Sequence, residues 1–211
     1  MTQHQILTDR WAALIRGLGG YGAVEFIGAA LIAEWGHPHR KYHNLTHLQV
    51  VLDGIDDLAS HATDPLACEL AAWYHDAVYE GQPDDEERSA ARAERELPGL
   101  GLPPARIAEV ARLVRLTVGH NPEPDDRNGA VLCDADLAIL ASDADAYAAY
   151  TAAVRAEYAH VPDDAFRLGR AAVLRGLLDL PALFRTPRGR TEWEPRARAN
   201  LVAELEILTE V

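Results

Sequence analysis

At 211 residues the chain is long enough to bury one substantial core, and its 48% hydrophobic content excludes global disorder. Lys and Arg number 20 against 33 Asp and Glu, a formal net charge of -13 that repels a polyanion, so a nucleic acid polymer is not an expected partner, whereas a small anion is not excluded. Two cysteines in apolar contexts, Cys68 and Cys133, are too few for a disulfide framework and read as core thiols of a reduced, cytoplasmic protein.

The N-terminus carries no secretory pattern. Residues from about 4 to 16 place Ile6, Leu7, Trp11, Leu14 and Ile15 on one stripe, and about 21 to 36 does the same with Val24, Ile27, Leu31 and Ile32. Glu25 and Glu34 break the second stretch, which is too short to span a bilayer, so no membrane partner is expected. Gly17, Gly19 and Gly22 spell G-x-G-x-x-G between the two, but a helical pattern precedes them where a dinucleotide fold needs a strand, so they read as a turn.

Asn44 reads as the N-cap of a helix to about Ala59 that turns Leu48, Val51, Leu52 and Ile55 inward. Pro65 starts a nearly all-apolar run to Tyr79, the pattern of a central buried helix. Further helices are expected at about 84 to 97, 104 to 119, 130 to 141, 143 to 159, 163 to 179 and 194 to 210. The polar segments 121 to 129 and 185 to 193 read as mobile surface loops. No run alternates long enough to argue a strand, so the fold class is all-α, a single helical domain over 1-211, with the chemistry at about 40 to 140 and the helices at about 143 to 210 completing the pocket. Tyr147, Tyr150, Tyr158 and Phe166 read as core residues.

The chemistry concentrates in two segments, Tyr42-His43-Asn44-Leu45-Thr46-His47 and Trp73-Tyr74-His75-Asp76. Histidines four apart share a helix face only if the helix already includes His43; with Asn44 as cap, His43 projects from the preceding turn. His75 and Asp76 put two polar groups together into an otherwise apolar helix, and burying a charge there requires a partner such as a metal ion. Asp134 and Asp136 follow Val131-Leu132-Cys133, where an acid needs pairing or ligation, and either could complete the set. His4, His37, His39, His61 and His160 read as ordinary packed or surface histidines.

The order His47, His75-Asp76, Asp136 resembles the H…HD…D signature of the HD-domain superfamily of metal-dependent phosphohydrolases. The segment from Tyr42 to His47 is similar to the YHNxxH segment of cyclic-nucleotide phosphodiesterases of that superfamily. A bacterial group of HD phosphohydrolases of about this length resembles more of the chain. Its R-x-YHN-x-x-H, W-x-HD-x-V-Y, E-x-x-SA, D-x-DLAIL and AR-x-NL-x-x-E segments read here as Arg40 to His47, Trp73 to Tyr79, Glu86 to Ala90, Asp134 to Leu140 and Ala197 to Glu204.

The resemblance implies a helical bundle of the HD type holding one divalent ion through His47, His75, Asp76 and Asp136, with Asp134 the runner-up for the last place. It makes His43 the general acid, a task suited to an imidazole whose ordinary pKa is about 6.5. Dinuclear members insert two further histidines before the last Asp, whereas this chain has only His120, so a single ion is expected. Glu86 or Glu80 is then a carboxylate for a second, weaker ion or for orienting water. The implied reaction is hydrolysis of a small phosphate ester, most readily a nucleotide, with Arg40, Tyr42, Asn44, Thr117, His120 and Arg170 as candidate substrate contacts. A non-catalytic regulatory or ligand-binding module that keeps the metal cluster is the alternative. The oligomeric state is left open, a homodimer included.

Overall fold

Five helices begin on a side chain that accepts an otherwise unsatisfied backbone N–H: Thr2 from Gln5, Asn44 from Thr46 and His47, Asp64 from Ala67, Asp126 from Gly129 and Asp143 from Ala146. A computed structural model describes residues 1–210. In chain order the helices are α1 (Gln3–Gly17), α2 (Val24–Trp35), α3 (Leu45–Leu58), α4 (Pro65–Tyr74), α5 (Asp85–Glu96), α6 (Pro104–Leu116), α7 (Arg127–Leu137), α8 (Ala144–Glu157), α9 (Asp163–Asp179) and α10 (Glu194–Thr209). Among the described residues there is no strand, and no helix is long and apolar enough to cross a membrane. The all-α bundle expected from the sequence is what the chain forms.

The apolar run of α4 lies at the centre. Seven of its ten residues are buried, against α3, α6 and α7, and a Leu or Trp buried to this degree contributes roughly 1.5–3 kcal/mol. Trp11 and Trp73 meet edge to face at 5.2 Å, and each of the buried Trp11 and Trp35 donates its indole N–H to a backbone carbonyl, Val24 at 2.7 Å and Trp73 at 3.1 Å. A second, smaller core joins Leu137, Leu140, Tyr147, Leu174, Phe184 and Leu201 from the end of α7 through α10, and Trp193 packs against both.

Several boundaries differ from the sequence reading. The helix expected to reach Tyr79 stops at Tyr74, because the backbone N–H groups of Val78 and Glu80 go to the Ser89 hydroxyl and the Asp85 carboxylate instead of to a helical ladder. His75 and Asp76 therefore occupy the turn after α4. The helix expected to reach 119 ends at Leu116, and α7 starts at Arg127 on its Asp126 cap, earlier than about 130, so 127 to 129 are helical rather than loop.

The segment 185 to 193 is fastened rather than loose. Asp134 accepts the backbone N–H groups of Arg185 and Thr186, each at 2.8 Å, and the Thr186 hydroxyl at 2.6 Å, and residues Gly189–Trp193 form one π-helical turn. The conformation of Gly189 leaves no room for a side chain there, since a Cβ would lie 2.6 Å from Asp134 Oδ2.

Candidate metal centre

Three helix ends converge. His47 sits in the first turn of α3, His75 directly after α4 and Asp136 near the end of α7. His47 and His75 are 5% and 1% exposed, so their ring nitrogens face protein rather than solvent. His47 Nε2 lies 3.3 Å from His75 Nε2, and Asp136 Oδ1 lies 3.2 Å from the first and 3.5 Å from the second. Ligation at about 2.0–2.2 Å spaces donor atoms roughly 3.0–3.5 Å apart, so this triangle fits a metal ion. His47, His75 and Asp136 could hold one.

The surroundings orient those atoms. His75 Nδ1 lies 2.8 Å from the Ala72 carbonyl, which takes its N–H and leaves Nε2 directed at His47 and Asp136. His120 Nε2 contacts Asp136 Oδ2 at 2.7 Å, leaving Oδ1 to the other two rings. His120 holds a left-handed backbone at φ 46°, uncommon for a residue with a side chain and strained by about 1 kcal/mol or more. Burial pushes the Asp136 carboxyl up, but the charge of His75 and the hydrogen bonds of His120, His47 and His75 hold it well below the usual carboxylate range.

Asp76 stands outside this triangle, its Oδ2 3.3 Å from His75 Nε2. Asp134 does not reach it. Residues two apart on a helix point to nearly opposite sides, and the Asp134 carboxylate is used up on Arg185 and Thr186, so it is Asp136 that faces the histidines.

A cavity of about 1040 Å³ opens beside this cluster, lined by Asp136 and Asp76 but not by His47 or His75. His43 lines it, with Nδ1 2.8 Å from Glu157 Oε2 and its ring stacked on Tyr79 at 4.2 Å. Glu157 Oε1 accepts the backbone N–H groups of Lys41, Tyr42 and His43 at 2.8 to 2.9 Å, and Oε2 accepts the Tyr79 hydroxyl at 3.1 Å. Burial raises this carboxyl, but the hydrogen bonds and charge of His43 and the backbone N–H groups outweigh it and bring it down to about 2. Glu86 also lines the cavity, and burial moves its carboxyl up.

Of the expected substrate contacts, Tyr42, Thr117, His120 and Arg170 line the cavity. Thr117 gives its hydroxyl to the Val114 carbonyl. Arg170 is paired with both Glu204 oxygens, at 2.7 and 3.0 Å, and with the Tyr150 hydroxyl at 3.0 Å. Arg40 and Asn44 do not line it. Arg40 is 5% exposed and donates to the carbonyls of His43 and Asp76, tying the two polar segments together, and Asn44 is spent capping α3.

Glu157 carries no signal in the sequence, since it lies 114 residues from His43 with no local pattern linking them. Tyr150, Tyr158 and Phe166 are expected in the core from the sequence. They line the cavity, and only Tyr147 belongs to the buried cluster. Comparison with protein-family models, with curated proteins and with solved structures gives no match for this chain.

Proposed function

We propose that this protein is a metal-dependent phosphohydrolase of the HD type, acting on a small phosphate ester at the cluster of His47, His75 and Asp136. The observation that carries this reading is the triangle of donor atoms 3.2 to 3.5 Å apart, one of whose residues, Asp136, lines a cavity whose wall also holds a carboxylate-bound histidine. A divalent ion bound by these three residues, with Asp76 beside them, supplies Lewis-acid polarisation of a phosphoryl oxygen and a water of lowered pKa.

The chain's own groups have separable tasks. Glu157 holds His43 Nδ1, which keeps Nε2 as the nitrogen that carries a proton to the oxygen leaving phosphorus. His120 fixes Asp136, and Arg40 fixes the backbone of His43 relative to that of Asp76. Glu86, half-buried and with a raised carboxyl, suits the acceptance of a proton from water at the wall. A cytoplasmic setting accords with the two free, buried thiols.

The test is phosphate release from nucleotides, sugar phosphates and alkyl phosphates by stripped protein reloaded with Mn, Mg, Co or Zn. Turnover restored by one of these ions supports the reading. A metal that raises the melting temperature while no ester is turned over would leave a non-catalytic metal module instead.

A further inference from the structure

The cavity has two unlike walls. On the side of the metal cluster it carries Asp76, Asp85, Glu86 and Asp136. On the other side α8 and α9 face the same space, with Val154, Phe166, Val173, Leu177 and Leu180 beside Tyr150, Tyr158 and Arg170, and with Leu137, Ile139 and Leu140 also lining it. The lining residues of α9 recur as 166, 169, 170, 173, 176, 177 and 180, one face of the helix, while Ala171 and Leu174 turn to the core. Neither Gly169 nor Gly176 has an atom within 4 Å of where a Cβ would be, so that face is open.

Among the described residues Arg170 is the only Arg or Lys in the cavity wall, and Glu204 already neutralises it. Beyond a divalent ion at the proposed cluster, the further charges of a di- or triphosphate would find no unpaired Arg or Lys in that wall to meet them. A nucleobase and ribose need several donors and acceptors for their edges and hydroxyls; on the α8–α9 wall Arg170 and the Tyr150 hydroxyl are already bonded to each other and to Glu204, which leaves the Tyr158 hydroxyl among largely apolar side chains. At about 1040 Å³ the cavity is at the upper end of small-ligand sites, roughly 300–1,000 Å³, so it has room well beyond a phosphate.

We infer that the α8–α9 wall takes an apolar organic group, so that the ligand of this site is the phosphate monoester of a hydrophobic alcohol and not a nucleotide. The phosphate lies toward the His47–His75–Asp136 cluster and the hydrocarbon along Val173 and Leu177. This inference rests on the phosphohydrolase reading for the phosphate end alone.

The test is calorimetric binding of inorganic phosphate, methyl-, butyl- and hexylphosphonate and adenosine 5′-monophosphate to the Mn-loaded full chain. Affinity should rise about threefold to fourfold per added methylene, the ratio expected for burying each in an apolar site. Hexylphosphonate should outbind the nucleotide. Val173 is 54% exposed, so Val173→Asp is compatible with folding, and it should shrink the hexyl-to-methyl affinity ratio at least about tenfold. A flat response to chain length, or a nucleotide bound as tightly as hexylphosphonate, would overturn the inference. If neither phosphate nor any phosphonate binds in a metal-dependent way, the phosphohydrolase reading fails; the wall is then judged by the same chain-length series of free alcohols, where a flat response again overturns it.

Discussion

Glu157 Oε2 lies 2.8 Å from His43 Nδ1, and the same carboxylate takes three consecutive backbone N–H groups from the segment that carries His43. One acid thus fixes both the ring and the backbone of the proposed proton donor. His43→Ala should retain metal while losing roughly 10²- to 10⁴-fold in kcat, the usual share of general acid-base help. Glu157→Gln should lower kcat by about 10- to 100-fold with little change in KM, as for other residues that orient a catalytic ring. Steady-state kinetics on the reloaded protein separate the two, and full activity in His43→Ala would remove it from the mechanism.

The depressed Glu157 carboxyl has a consequence for stability against pH. It is held at about 2 when folded against an ordinary 4.5, so its contribution is fully present above about pH 4.5 and is lost as pH falls toward 2. Urea unfolding of wild type and Glu157→Gln should differ by on the order of 2 kcal/mol at pH 7, and the gap should close between pH 4.5 and 2. A gap independent of pH would mean that the carboxylate's charge is not what matters.

Asp134 and Asp136 are two residues apart and should fail in different ways. Asp134→Ala leaves the Arg185 and Thr186 N–H groups without their acceptor and should cost about 2–4 kcal/mol in chemical denaturation, with metal affinity unchanged. Loss of metal in that variant, measured under conditions where it is folded, would assign Asp134 to the metal cluster after all.

Asp76 lies beside the triangle rather than in it. Asp76→Ala should weaken metal affinity by roughly 10- to 100-fold, a neighbour's effect. Affinity left at the wild-type level in a metal titration would show that the ion sits on the far side of His75.

The helical architecture was legible because nearly every element has an apolar stripe at helical spacing and many have a capping residue, as with Asn44 before Leu48, Val51 and Leu52. His75 was legible because polar groups in apolar stretches need a partner, whereas that argument left Asp134 and Asp136 equal and only the resemblance to the H…HD…D signature preferred Asp136. The end of α4 was not legible, since it depends on Ser89 and Asp85, which arrive from the next helix. Nor was the role of Tyr150 or Phe166. An aromatic residue on a helix reads the same whether it faces a core or a cavity, and only the tertiary placement of α8 and α9 along the cavity decides which. The polar segment at 185 to 193 looked mobile because its anchor, Asp134, lies 51 residues upstream of Arg185.

The central claim is that His47, His75 and Asp136 hold the ion on which hydrolysis depends. Metal content and phosphate release measured on the same reloaded samples of wild type and Asp136→Asn test it most directly. Wild type should bind one ion per chain and release phosphate, and Asp136→Asn, folded by circular dichroism, should lose both together. Stoichiometric metal with undiminished phosphate release in Asp136→Asn would contradict it.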